Sequence, residues 1–179
     1  MDGVAQKVPE RDYSHNVGMG DTLLARVPGI LSSLGLGSCL AVALFDDRAG
    51  IAGMVHIMLP REFRSPRGDL PDKPANPKPG KFADRALRNL VDLLEKEGAA
   101  RSRLRAKVAG GAKMFSISRG PNLLSIGEQN IEVVLEELKI LKIPLEGKDT
   151  GGNKGRSVTF FTETWEMEVR AIGQTPFRI

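Results

Sequence analysis

Sulfur and imidazole are scarce in this sequence, which has one cysteine, Cys39, and two histidines, His15 and His56. A single cysteine forms no internal disulfide. One Cys and two His, one of them near the N-terminus, also fall short of the three or four closely spaced ligands of a zinc site. Aromatic residues make up 5% of the chain, too few for base-stacking surfaces, and the formal charge of +4 is dispersed rather than gathered in a stripe. Nucleic acid is therefore not an expected partner. Local basic excess occurs at 61–67 and 101–107, and the pI is about 9.4. Solvated basic faces are the plain reading of that charge, and an acidic protein partner is a second one. No apolar run approaches the ~20 residues that span a bilayer, so no membrane insertion is expected. The first seven residues, from Met1 to Lys7, lack a basic stretch followed by an apolar core, so no secretion signal is expected. The expected home is a reducing cytoplasm, where a thiol stays free to react.

What is present suits a globular protein. The 179 residues are 41% hydrophobic and 27% charged, enough for one domain with its own core. Residues 1–20 are polar and without period, and they read as a flexible tail. His15 lies there with no chemical neighbours and reads as a surface histidine. A single domain is expected over 21–179.

Local patterns place the elements. Residues 22–33 hold two short apolar runs broken by Pro28-Gly29, which fits two strands around a turn. The runs 39–45 and 51–59 flank Asp46-Asp47-Arg48-Ala49-Gly50 and predict a hairpin. Paired about that turn, Cys39 and His56 come to the same open end, within side-chain reach across neighbouring strands. Residues 60–81 carry six prolines and several arginines without period, which predicts a long loop, disordered or lining a site. Phe82, Ala86, Leu87, Leu90, Val91 and Leu94 recur at helical spacing, and Gly98 ends that helix. Ser125 and Glu128 form a capping box for a second helix reaching about Lys142, with Ile131, Val134, Leu135, Leu138 and Leu141 on its core face. Strands are expected over 104–109, from Ile143, over 157–162 and over 165–172. Several strands, two main helices and no strict alternation predict an α+β or layered α/β sandwich with mixed sheets.

Two glycine-rich stretches raise phosphate binding. Gly35-x-Gly37 and Gly151-Gly152-x-x-Gly155-Arg156 lack the Gly-Lys-Ser/Thr ending of a P-loop and complete no dinucleotide fingerprint, so both read as turns. The thiol remains. An imidazole in hydrogen-bond reach makes a cysteine a competent nucleophile, and a third group orients the ring. Ser33, six residues before Cys39, offers a hydroxyl or a backbone carbonyl for that third place. Gly35 and Gly37 leave room for a substrate amide, and the Cys39 N–H faces a developing oxyanion in this reading. Residue types alone leave a second reading open, because cysteine is among the most buried residues and a packed, inert thiol fits the same pattern.

A set of ordered segments then bears on the choice. Leu36-Gly37-Ser38-Cys39 is followed by Gly53-Met54-Val55-His56-Ile57-Met58-Leu59-Pro60. Next come Lys81-Phe82-Ala83-Asp84, Gly110-Gly111-Ala112-Lys113-Met114-Phe115, Ile126-Gly127-Glu128-Gln129-Asn130-Ile131 and Gly151-Gly152-Asn153-Lys154-Gly155-Arg156. In this order, over roughly 21–172, the sequence resembles the CheD family of chemoreceptor glutamine deamidases. The resemblance implies a layered fold similar to Cys-His toxin deamidases. It implies hydrolysis of glutamine side-chain amides on methyl-accepting chemotaxis receptors, through a Cys thioester, without metal or cofactor. It assigns Cys39 as nucleophile, His56 as general base and Ser33 to the third position, where the family usually carries threonine. Gly37, Ser38, Gly110, Gly111 and Arg156 are the implied substrate-binding positions. The partners it implies are the cytoplasmic domains of chemoreceptors and, in many members, the CheC phosphatase. Some members act on glutamate methyl esters by the same acyl chemistry. The alternative is a non-catalytic adaptor that binds receptors or CheC. From its charge, the 60–81 loop is expected to meet an acidic receptor helix.

Overall fold

The computed structural model describes residues 14–62, 78–114 and 124–179. Among them are ten strands and two α-helices. The strands are β1 (Ser14–Asn16), β2 (Thr22–Arg26), β3 (Ile30–Leu36), β4 (Leu40–Asp46), β5 (Ile51–Ile57), β6 (Arg105–Gly110), β7 (Leu145–Thr150), β8 (Arg156–Phe161), β9 (Glu166–Ala171) and β10 (Phe177–Arg178). The helices are α1 (Ala83–Lys96) and α2 (Ile126–Ile140).

The strands form two five-stranded sheets, in the orders β1-β3-β8-β9-β10 and β2-β5-β4-β6-β7. Both are mixed, since β1–β3 and β6–β7 run parallel and the other pairs antiparallel. The architecture is the α+β sandwich expected from the sequence.

Strand β4 explains why the sandwich has three layers. All seven of its residues are buried, so it is covered on both faces. Leu40, Val42 and Leu44 join the cluster made with Leu87, Leu90 and Leu94 of α1 and Val134 and Leu138 of α2. Ala41, Ala43 and Phe45 join the cluster made with Leu31, Phe160 and Val169 of the other sheet. The small residues at 41 and 43 let the sheets approach, and Phe45 fills the gap by stacking on Trp165 at 5.6 Å between ring centroids. Each large side chain fully withdrawn from water contributes about 2 kcal/mol, so these two layers supply most of the driving force.

Helix α1 buries all six residues of its apolar stripe, Ala83, Ala86, Leu87, Leu90, Val91 and Leu94. It ends as its sequence indicates, with Gly98 at φ +98° and its N–H bonded to the Glu95 carbonyl. At the start of α2, Ser125 Oγ accepts from Glu128 N–H while the Glu128 carboxylate accepts from Ser125 N–H, the reciprocal pair of a capping box. The basic excess at 101–107 is largely matched by acid. Arg101 pairs with Glu95 at 2.8 Å, Arg103 with Asp46 at 2.7 Å, and Arg105 with Asp47 at 2.6 Å.

One expectation is corrected. Residues 14–20 are not tail: β1 pairs with β3 by backbone hydrogen bonds, and Val17 is buried. Residues 1–13 lie outside the described residues. His15 is exposed on β1, as a surface histidine should be. The two strands expected around Pro28-Gly29 are present as β2 and β3, and they join different sheets, β2 pairing with β5 and β3 with β8. Of the proline-rich 60–81 stretch, 63–77 lie outside the described residues, while 78–81 are bonded to 18–21 and to β5's exit. No helix among the described residues is long and apolar enough to cross a membrane.

Candidate functional site

The β4–β5 hairpin brings the cysteine and the histidine to one end. Its register pairs Ala41 with His56 and Leu40 with Ile57, the last pair before the open end. Cys39 lies one residue further out. Side chains alternate along a strand, so Cys39 shares the face of Ala41 and is the diagonal neighbour of His56. That face points between the sheets: Cys39 is half-buried and packs against the inter-sheet cluster, to which Ala41 also belongs. The sequence-based placement of both residues at one open end holds.

His56 reaches across the inter-sheet gap. Its Nδ1 lies 2.9 Å from Ser33 Oγ on β3 and 3.4 Å from the carbonyl oxygen of Val17. The Ser33 hydroxyl donates to that same Val17 carbonyl at 3.0 Å. A hydroxyl has one proton, so with that proton on Val17 the Ser33 oxygen accepts from Nδ1–H. The network thus assigns the ring proton to Nδ1 and leaves Nε2 with a lone pair. Nε2 is buried and has no hydrogen-bond partner among the described residues. Of the two roles open to Ser33 from the sequence, the hydroxyl is the one that meets the ring.

Burial sets the protonation states. It holds the His56 imidazolium back, pushing its pKa below that of an exposed histidine, although the Val17 carbonyl and Asp21 oppose the shift. It also pushes the Cys39 thiol pKa upward. Both groups are therefore neutral at pH 7, a thiol beside a free imidazole base rather than a preformed ion pair.

The backbone around Cys39 is held from the other side by the 110–113 turn. Gly111 N–H donates to the Cys39 carbonyl and Ala112 N–H to the Gly37 carbonyl, each at 2.8 Å. Gly110 has φ +116°, and a Cβ there would sit 2.3 Å from the Cys39 carbonyl oxygen. Only glycine permits this approach. At Gly37 a Cβ would come within 2.9 Å of the Met114 side chain. The turn at 151–155 braces this one in turn, with Gly151 N–H on the Gly110 carbonyl and Lys113 N–H on the Gly152 carbonyl.

These contacts place the remaining sequence candidates. Gly37, Ser38, Gly110 and Gly111 all gather around Cys39. Arg156 is buried, and its guanidinium is engaged within its own turn. It donates to the Asp149 carbonyl and carboxylate at 2.7 and 2.5 Å and to the Gly151 and Lys154 carbonyls. Those bonds shape the turn.

Two groups at the site were missed from sequence. The Val17 carbonyl belongs to a stretch whose polarity hid a strand. The other is Asn130 on α2, fully buried, whose side-chain amide donates to the Ser38 and Met58 carbonyls at 2.9 and 3.1 Å. A signal for it existed: Asn130 falls four residues before Val134 on the apolar stripe, where a polar residue needs a partner. Among the described residues no cluster of His, Cys, Asp and Glu could hold a metal ion.

Known proteins match this chain closely. The family model described as CheD chemotactic sensory transduction matches residues 58–171, more than half of the chain. A chemoreceptor glutamine deamidase CheD of Thermotoga maritima is 44% identical over 157 residues, covering 88% of this chain and 91% of its own. A probable one of Caldanaerobacter subterraneus is 43% identical over 157 residues, covering 88% of this chain and 92% of its own. A solved structure, the Bacillus licheniformis hypothetical protein YfiH, is 16% identical, covers 81% of this chain and 61% of its own, and has a TM-score of 0.45. No property is carried across from that last likeness. From the family model and the two sequence relatives, the chain belongs to the CheD family.

Proposed function

We propose that this protein hydrolyses glutamine side-chain amides on the cytoplasmic domains of chemoreceptors, giving glutamate and ammonia, with Cys39 as nucleophile and His56 as base. The observation that carries the reading is the Ser33–His56 hydrogen bond, which leaves a buried Nε2, without a partner among the described residues, on the face that Cys39 shares. The names of the relatives supply the substrate class.

The steps follow from the protonation states. His56 Nε2 takes the thiol proton as Cys39 Sγ attacks the glutamine carbonyl carbon, and the carbonyl oxygen takes the negative charge. Backbone N–H groups beside Cys39 receive that oxyanion. The oxyanion then collapses, the C–N bond breaks, and the imidazolium gives its proton to the departing nitrogen, which leaves as ammonia. Water attacks the resulting thioester while Nε2 takes its proton. Cys39 leaves as thiolate and is reprotonated, and glutamate remains on the receptor. Ser33 and Val17 hold the imidazolium formed in each half by accepting from Nδ1–H. A glutamate methyl ester fits the same sequence, with methanol leaving in place of ammonia. The reaction is placed in the cytoplasm, where the thiol stays reduced, and CheC is proposed as a protein partner.

Ammonia release from a receptor cytoplasmic fragment tests this reading. Cys39→Ala is expected to lower the rate by at least about 10,000-fold with an unchanged melting temperature. Full activity in that variant would refute Cys39 as nucleophile, and no ammonia release by wild-type protein would leave the non-catalytic adaptor reading in its place.

A further inference from the structure

The β4–β5 ladder ends just where the chemistry begins. Leu40 and Ile57 are the last paired residues, so Ser38-Cys39 and Met58 leave the hairpin without ladder bonds between them. Asn130 closes this gap. Its Nδ2 carries two protons, and the two carbonyls it meets are Ser38 O at 2.9 Å and Met58 O at 3.1 Å. One precedes the nucleophile by a residue. The other follows His56 by two. The amide has only this orientation available, since a flipped one would set Oδ1 against two carbonyl oxygens. Oδ1 itself is buried with no partner among the described residues, an unmet acceptor that destabilises the fold. A residue kept only for packing would be apolar here, like Val134 one turn on.

We propose that Asn130 is a positioning residue that fixes the separation of Cys39 and His56 by clamping the two strand ends to α2. The capping box at Ser125 and Glu128 anchors the start of α2. Gly127 sets its first turn against the backbone of Gly111 and Ala112, where a Cβ would come within 2.5 Å of the Gly111 carbonyl. The clamp therefore references both groups to one rigid element. Without it, the ends splay by the small amount to which proton transfer is sensitive, since a misplacement of ~1 Å costs about 100-fold.

The inference rests on Cys39 and His56 acting as a pair, and the test reads that pair without any receptor. Iodoacetamide alkylation of Cys39 is followed against pH in the wild-type protein, His56→Ala as reference, Asn130→Ala, Asn130→Ser and a packing control, Val134→Ala. Wild-type protein is expected to react at neutral pH through imidazole assistance. Asn130→Ala is expected to lose that assistance, with neutral-pH reactivity down about 10-fold and the pH profile moved toward that of His56→Ala. Asn130→Ser, which keeps one donor, is expected to fall between. Val134→Ala is expected to lower the melting temperature while keeping the wild-type profile. If Asn130→Ala keeps the wild-type profile and only melts lower, the residue is structural and the proposal fails. Should Asn130→Ala not fold, a wild-type profile in Asn130→Ser has the same force. A wild-type protein already reacting like His56→Ala would instead refute the Cys39–His56 pairing itself.

Discussion

Ser33 Oγ and His56 Nδ1 lie 2.9 Å apart although they belong to opposite sheets. That bond spans the sandwich and sets which ring nitrogen is free. Ser33→Ala is expected to lower kcat about 3–10-fold, the worth of one neutral hydrogen bond. The loss stays modest because the Val17 carbonyl, 3.4 Å from Nδ1, takes over part of the work. Ser33→Thr keeps the hydroxyl and is expected to retain most of the activity. Steady-state kinetics on a receptor fragment separates these outcomes.

The direction of the His56 shift gives a pH dependence. Burial lowers its pKa, so the folded ring stays a base to lower pH than an exposed histidine. Asp21 and Lys78, paired at 2.8 Å, face it with opposite signs, Asp21 raising the pKa and Lys78 lowering it. The acid limb of kcat/KM is expected below the pH at which an exposed histidine titrates. Stability has the matching sign: the unfolded chain binds the proton first, so stability falls as pH drops through the ordinary imidazole pKa and levels once the folded ring is charged. A pH series of kcat/KM in wild-type protein, and of melting temperature in wild-type protein and His56→Gln, checks both.

Gly110→Ala tests the support behind the nucleophile. The new Cβ would lie 2.3 Å from the Cys39 carbonyl oxygen, at a backbone φ of +116°. Something must move, and the nearest atoms are the nucleophile's own backbone. Expected is a kcat loss of about 100-fold, larger than the stability loss of about 1–3 kcal/mol implies. Denaturant unfolding beside kinetics would show whether the two effects separate.

Much of this site was legible in the chain, for local reasons. The hairpin that joins Cys39 to His56 needs only two apolar runs and a five-residue turn between them. The capping box at Ser125 and Glu128 needs only residues three apart. What stayed hidden is non-local. Strand β1 is three exposed residues paired with β3, so neither polarity nor period marks it, and with it went the Val17 carbonyl. The division of β2 and β3 between two sheets depends on partners more than twenty residues away. Arg156 sits in a motif that suggests ligand contact, yet its charge closes a turn.

The far end of β4 offers a control on stability alone. Asp46 is buried and accepts from the Arg103 guanidinium at 3.0 and 2.7 Å and from the Ala100, Ala49 and Arg48 N–H groups. Burial favours its protonated form, but those donors outweigh it and bring its pKa down to about 2. Its contribution is present above the unfolded carboxyl pKa and is lost as pH falls through about 2. Asp46→Ala is expected to destabilise by about 2–3 kcal/mol while the folded fraction keeps wild-type kcat. Urea unfolding and kinetics below the transition test the two halves.

The central claim is that Cys39 and His56 together convert receptor glutamines to glutamates. The direct measurement is site-resolved mass spectrometry of a receptor cytoplasmic fragment incubated with wild-type protein, Cys39→Ala or His56→Ala. The account predicts glutamine-to-glutamate conversion at specific positions with wild-type protein and none above background with either variant. Conversion by folded Cys39→Ala at the wild-type rate would contradict it.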